Sequence, residues 1–257
     1  MAEDPWSSSP VPDDARSPRA LATRLLSLLD LTSLGENDTP ARIEALCAAA
    51  LAAPVLPAAL CVYPEHVAGA RRQLQGSAIK LATVVNFPDG GGDPARVERE
   101  TQRALAAGAD EIDLVLPYRA LLAGDAATAG AVVRAGRAVC SDGVVLKLII
   151  ESGELGSAER IRQACAIGLD AGVDFLKTST GKVPLNATPA AAAVMLDAIA
   201  EAGGRCGFKA AGGIRTLADA AAYLALAEAR LGPGWADPAH FRIGASALFG
   251  ELVAATS

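Results

Sequence analysis

Asp174-Phe175-Leu176-Lys177-Thr178-Ser179-Thr180-Gly181-Lys182 begins as an apolar run with strand propensity and ends in hydroxyls, a glycine and a second lysine. Lys177 falls where such a strand is best buried, and an ammonium is costly to desolvate unless it is paired or loses its proton. A lysine without its proton is a nucleophile. The plainer reading is a strand-end lysine whose stem is covered while its charge reaches solvent. The pattern recurs, however: Val145-Leu146-Lys147-Leu148-Ile149-Ile150 and Gly207-Phe208-Lys209-Ala210 also set a lysine inside an apolar run.

Outward from these segments, short apolar runs predict eight strands: Leu28–Thr32, Ala59–Tyr63, Ile79–Phe87, Glu111–Leu116, Val144–Ile150, 173–177, 206–210 and Phe241–Gly244. Helix signals stand between many of them. Thr39 caps a helix with Pro40 at its first position, Asp93-Pro94 and Thr188-Pro189 repeat the device, and Ser157 caps another. Thr216 and Asp219 form a capping-box pattern, and a last short helix starts near Ala247. Strands alternating with helices at intervals of roughly 30 residues indicate a parallel sheet. Eight of them in 257 residues favour a single-domain (β/α)8 TIM barrel. A Rossmann-like sheet would need a glycine fingerprint after the first strand, and Asp30-Leu31-Thr32-Ser33-Leu34-Gly35 is not one. Residues 1–19, rich in Pro, Ser and Asp, read as a flexible tail, and 20–257 as the barrel domain.

The composition excludes several function classes. With 51% hydrophobic residues and only 4% aromatic, the core is aliphatic. A net charge of −6 argues against a nucleic-acid surface, so an anion site must be made locally. Five cysteines, Cys47, Cys61, Cys140, Cys165 and Cys206, show no metal or redox spacing and read as reduced thiols of a cytoplasmic protein. Two histidines leave little material for a zinc site, so no metal and no cofactor is expected. No signal-peptide or membrane segment is visible.

In such a barrel the reactive groups lie at the C-terminal ends of the strands. Asp30, Cys61, Asn86, Asp113, Glu151, Lys177, Lys209 and Ser246 are the polar misfits near that end. By strand alternation Lys177 shares a face with Phe175, Asp113 with Val115, and Lys147 with Ile149 and Glu151. A buried ion pair between Lys147 and Glu151 is the structural reading of the last set. Lys177 and Lys209 lie on adjacent strands. Two ammonium groups within about 4–6 Å do not both stay charged cheaply, so one pKa falls. A free lysine is only about one part in a thousand neutral at about pH 7.4. The constellation points to carbonyl chemistry through a Schiff base, with Asp113 able to pair with the remaining cation. It leaves open which lysine is the nucleophile. Gly212-Gly213-Ile214-Arg215 after the seventh strand and Gly244-Ala245-Ser246 after the eighth form a candidate phosphate site, to which Gly181-Lys182 adds a side-chain charge.

These segments, with Leu29-Asp30-Leu31-Thr32, Ala59-Leu60-Cys61-Val62-Tyr63-Pro64, Val84-Val85-Asn86-Phe87-Pro88 and Glu111 through Arg119, resemble the deoxyribose-phosphate aldolase family over about Leu25 to Leu252. The resemblance implies metal-free, reversible cleavage of 2-deoxy-D-ribose 5-phosphate to glyceraldehyde 3-phosphate and acetaldehyde. It also implies Lys177 as the Schiff-base lysine, Lys209 as its neighbouring cation and Asp113 as the proton-relay acid. Asp30, Thr32 and Cys61 match positions near the substrate hydroxyls, and Thr178 joins the binding set. The implied partners are a sugar phosphate and acetaldehyde, with self-association as a homodimer. Two departures stand out. Ala247 replaces a serine that many members carry, and the chain stops at Ser257 without a longer tail ending in tyrosine. The rival functions are a related class I aldolase or transaldolase on another sugar phosphate, and a phosphate-binding barrel without catalysis.

Overall fold

A computed structural model describes residues 17–141 and 143–256. Ser17 accepts a hydrogen bond from the Ala20 N–H and starts α1 (Pro18–Ser27). The boundary expected after Arg19 therefore falls inside a helix, while residues 1–16 of the expected tail lie outside the described residues. Eight parallel strands follow: β1 (Leu29–Ser33), β2 (Ala59–Val62), β3 (Lys80–Val85), β4 (Glu111–Val115), β5 (Val145–Ile149), β6 (Phe175–Lys177), β7 (Gly207–Ala211) and β8 (Phe241–Ala245). They pair in chain order, and β8 pairs back to β1 to close the barrel. This is the (β/α)8 architecture that the alternation implies.

The predicted caps are in place. Thr39, Asp93, Ser157, Thr188 and Thr216 each accept a backbone N–H at the start of α2 (Pro40–Leu51), α4 (Pro94–Ala106), α8 (Ala158–Asp170), α9 (Pro189–Glu201) and α10 (Leu217–Leu231). Each such side chain satisfies one of the N–H groups that a helix start leaves without a partner, worth about 1 kcal/mol. The remaining helices are α3 (Val67–Gln73), α5 (Tyr118–Leu122), α6 (Ala126–Val139), α7 (Ser152–Leu155) and α11 (Leu248–Ala255). α5 and α6, between β4 and β5, do not appear in the sequence reading, although α6 has a start signal of the same kind: the Asp125 side chain accepts the Thr128 N–H.

The third strand ends two residues before the predicted Phe87, because Asn86 adopts a left-handed φ of 57°. Its side-chain amide donates to the Gly91 and Val115 carbonyls at 2.9 and 3.0 Å, and its oxygen accepts from the Gly91 N–H. Asparagine tolerates this conformation better than most residues, and here it ties the glycine loop to the end of β4.

The outward faces of the strands, Leu31, Leu60, Leu81, Leu114, Leu148, Leu176 and Phe208 among them, pack under the helices in one buried core. The inward faces divide in two. Ala59, Cys61, Ala82 and Val84 on β2 and β3 make a small apolar cluster. The rest of the interior holds Asp30, Glu111, Asp113, Lys147, Lys177, Lys209 and Arg242, all buried. Two inward glycines make room for these long side chains. A Cβ at Gly207 would stand 2.5 Å from the Phe175 ring, and one at Gly244 would stand 3.0 Å from Lys209 Cε.

That packing is testable. Gly207→Ala should destabilise the barrel by about 1–3 kcal/mol, the usual cost of overpacking, because the new methyl also meets the His240 carbonyl oxygen at 2.9 Å. Urea denaturation followed by far-UV circular dichroism reads the loss as a lower midpoint. An unchanged midpoint would mean that Phe175 moves aside freely.

Candidate active site

Strand register brings the inward charges together. Lys177 is aligned with Lys209 across β6 and β7, and Asp113 with Lys147 across β4 and β5. Asp113 is the common acceptor: Oδ2 accepts from Lys177 Nζ at 2.7 Å and from Lys209 Nζ at 2.8 Å, and Oδ1 from Lys147 Nζ at 2.9 Å. Lys209 also donates to Asp30 Oδ2 at 2.5 Å, and Lys147 Nζ lies 2.5 Å from Glu111 Oε2. Arg242 closes the ring from β8, reaching Asp30 Oδ1 at 2.7 Å and Glu111 Oε1 at 3.1 Å.

Four cations therefore face three carboxylates: Lys147, Lys177, Lys209 and Arg242 against Asp30, Glu111 and Asp113. The pKa shifts follow this imbalance. Burial works against the charged form of Lys147, Lys209 and Arg242, but nearby carboxylates outweigh it and hold all three above their ordinary values. Burial would raise Asp113, yet Lys147, Lys177 and Lys209 overcome it and keep the carboxyl well below the usual range. Lys177 goes the other way. Burial lowers it, Asp113 opposes that, and the charge of Lys209 adds to burial, leaving it below an ordinary lysine. Burial is the first cause of this lowering, and the Lys209 ammonium on the adjacent strand adds to it. With Lys177 neutral, three cations balance three anions.

A cavity of about 420 Å³ opens over this network at the C-terminal ends of β1, β6, β7 and β8. Of the four buried cations only Lys177 lines it. Thr32, Gly181, Lys182, Gly212, Gly213, Arg215, Gly244 and Ser246 also lie on its wall, as does Ala247. Gly212 and Gly213 have φ of 88° and 87°, a backbone that side chains rarely adopt.

Other expected residues are placed differently. Asp30 lies beneath the cavity wall with both oxygens engaged by Lys209 and Arg242. Cys61 is buried in the apolar half of the barrel, where desolvation raises its thiol to about 11 and keeps it neutral. Thr178 points to the other side of β6: its hydroxyl donates to the Ala211 carbonyl and accepts the Ala211 N–H, pinning β6 to β7. The Lys182 ammonium donates to the Leu34 carbonyl at 2.6 Å and lies over the Tyr63 ring.

The proposed Lys147–Glu151 pair is not formed. Lys147 is held by Glu111 and Asp113, and Glu151 takes a left-handed φ of 56° that turns its carboxylate to the Thr180 hydroxyl and N–H, at 2.6 and 3.2 Å. Alternation from Ile149 fails because the strand ends before Glu151.

Arg242 and Glu111 were absent from the sequence-derived site, although each shows the signal that revealed the lysines, a charge at an inward position of an apolar strand. Asp38 and Arg42 also line the cavity. They belong to the β1–α2 loop and the first turn of α2, where a charged residue is unremarkable. Among the described residues no group of His, Cys, Asp or Glu is arranged to hold a metal ion, and no helix is long and apolar enough to cross a membrane.

Comparison with known proteins bears on this arrangement. A proposed deoxyribose-phosphate aldolase from Toxoplasma gondii ME49 is 26% identical, covers 93% of this chain and 94% of its own, and superposes with a TM-score of 0.84. A second, from Coccidioides immitis, is 29% identical over 90% of this chain and 86% of its own, with a TM-score of 0.77. The tetrameric deoxyribose phosphate aldolase of Aeropyrum pernix, 24% identical over 93% and 92% of the two chains at a TM-score of 0.71, shares the fold. The family model for DeoC/LacD aldolases matches residues 24–248, a span that contains all eight strands and every member of the charged ring, and the chain belongs to that family.

Proposed function

We propose that the protein is a class I aldolase that reversibly cleaves 2-deoxy-D-ribose 5-phosphate into D-glyceraldehyde 3-phosphate and acetaldehyde, with Lys177 as the Schiff-base residue. One observation carries the reading: the buried amine that loses its proton most readily is also the one that faces the cavity. Neutral Lys177 Nζ adds to the C1 aldehyde of the open-chain sugar, the carbinolamine hydroxyl takes up a proton, and its departure as water leaves an iminium. The iminium keeps a positive charge opposite Asp113, so the ion pair of the resting site persists. A base takes the C3 hydroxyl proton, the C2–C3 bond breaks, and its electron pair reduces the iminium to a neutral enamine while glyceraldehyde 3-phosphate forms. Asp113 then loses one of the cations that depress its pKa, so its proton affinity rises as a proton must be moved. Protonation at C2 and hydrolysis release acetaldehyde and free Lys177.

Lys209, charged and tied to Asp30, is assigned as the electrostatic partner of this cycle. Gly212, Gly213, Gly244 and Ser246 are assigned to the phosphate, with backbone N–H groups as the donors. Thr32 and Thr180, which line the cavity with Lys177, are assigned to the substrate hydroxyls. The reading includes a cytoplasmic location, supported by five cysteines that all remain free thiols, a reaction without a metal, and assembly as a homodimer. It is preferred to a non-catalytic barrel because such a barrel has no need of a depressed lysine at the cavity floor.

Three outcomes check it. Acetaldehyde with borohydride should trap Lys177 covalently, as read by peptide mass mapping, and EDTA should leave turnover unchanged. A label on Lys147 or Lys209 alone would refute the assignment. Two substitutions should shift the pH profile of trapping in opposite directions. Lys209→Met removes a repelling charge and leaves Asp113 less compensated; both favour the Lys177 ammonium, so the midpoint moves to higher pH. Asp113→Asn removes the anion that stabilises that ammonium, so the midpoint moves to lower pH while turnover falls about 100-fold or more with the loss of proton transfer. Shifts of equal sign would mean that the ion ring does not control Lys177. Finally, 2-deoxyribose without its phosphate should lose orders of magnitude in kcat/KM, since each charge-assisted hydrogen bond is worth about 1.5–3 kcal/mol.

A further inference from the structure

Three cations at the cavity wall, Arg42, Lys182 and Arg215, take no part in the catalytic ring. Arg42 is the third residue of α2, its backbone N–H held by the Thr39 hydroxyl at 3.3 Å. Its side chain is 65% exposed, its guanidinium donates no hydrogen bond among the described residues, and Asp38 Oδ1, 3.8 Å from Nε, is its ionic neighbour. The other cation on the β1 side of the rim, Lys182, is already spent on the Leu34 carbonyl. Gly212–Gly213 and Gly244–Ser246 line the same cavity, followed by Ala247, which contributes no hydroxyl.

Asp38 makes the arrangement informative. Its side chain is only 2% exposed; Oδ2 accepts from Ser33 Oγ and the Gly35 N–H, while Oδ1 has no hydrogen-bond donor. A buried carboxylate on the wall of an anion site repels the ligand unless a cation offsets it. Arg42 is the cation within reach of Asp38, and a guanidinium presents five donors in a planar fork, enough to serve a carboxylate on one edge and a phosphate on another.

We propose that Arg42 is a specificity-determining residue: it neutralises Asp38 and donates to the substrate phosphate from the β1–α2 side of the cavity that the glycine loops also line. This gives the anion site a side-chain charge at a position that no motif in the sequence marks. It also supplies a donor where Ala247 has none. The inference rests on the phosphate being bound in this cavity, as in the proposed aldolase reaction.

The test is the ratio of kcat/KM for 2-deoxyribose 5-phosphate to that for free 2-deoxyribose. In Arg42→Met the ratio should fall about tenfold or more, the change expected for one lost charge-assisted hydrogen bond, with KM for the phosphorylated sugar carrying most of it. Arg42→Lys, which keeps the charge but not the fork, should recover part of the loss. An unchanged ratio, or equal losses on both sugars, overturns the proposal. Calorimetric titration with inorganic phosphate separates this from the aldolase reading. Weaker phosphate binding by Arg42→Met than by the natural protein supports the role of Arg42 even if acetaldehyde fails to label Lys177, and equal binding refutes it.

Discussion

The carboxylate of Asp113, accepting from three lysines in the buried interior of the barrel, is the interaction on which the placement of charge depends. Each ammonium alone would be too costly to bury. Sharing acceptors among Asp30, Glu111 and Asp113 makes three of the four cations tolerable, and leaves one positive charge in excess. That excess resides most loosely on Lys177, where the burial is matched by a single carboxylate contact at 2.7 Å. Lys147 and Lys209 each have two close carboxylate partners, and Arg242 likewise has two. A depressed lysine pKa is thus a consequence of counting and placing charges, with desolvation as its first cause.

The division of the barrel interior follows from the same constraint. The charged ring occupies β1 and β4 to β8, and the small residues Ala59, Cys61, Ala82 and Val84 fill the side formed by β2 and β3. Charges gathered on one side share partners, whereas charges spread around the barrel would each need their own. The glycines at 207 and 244 belong to this design: without them neither Phe175 nor the Lys209 stem would fit. Above the ring the cavity rim is again net positive, with Arg42, Lys182 and Arg215 against Asp38. The cavity rim offers open backbone turns at Gly212 and Gly213 and exposed guanidinium groups, conditions suited to an anion in an otherwise acidic protein.

Two residues forced into left-handed backbone conformations, Asn86 and Glu151, mark where strands give way to functional loops. A non-glycine residue in that region costs of order 1 kcal/mol or more, and both recover part of it through side-chain hydrogen bonds. Asn86 braces the loop carrying Gly91, and Glu151 braces Thr180 beside the cavity. Strand alternation, which reads faces correctly up to Ile149, stops applying at such a turn. The Lys147–Glu151 pair was therefore a natural expectation and a wrong one.

Most of the barrel was legible because it is written in local chemistry: eight apolar runs, and hydroxyl or carboxylate caps at helix starts such as Thr39, Ser157 and Thr216. The lysines, too, were visible, since a charge in a buried strand contradicts its surroundings wherever the strand ends up. The sequence by itself therefore determined the fold and the aldolase family, and it marked three lysines set inside apolar strands. Which lysine faces the cavity, that Arg242 and Glu111 complete the ring, that Thr178 and Lys182 are engaged by backbone carbonyls, and that Asp38 and Arg42 line the cavity were decided only by the tertiary structure. The reason is physical. A pKa, an ion pair or a cavity wall depends on distances between strands far apart in the chain, and those distances come from barrel closure and register, which no local pattern encodes.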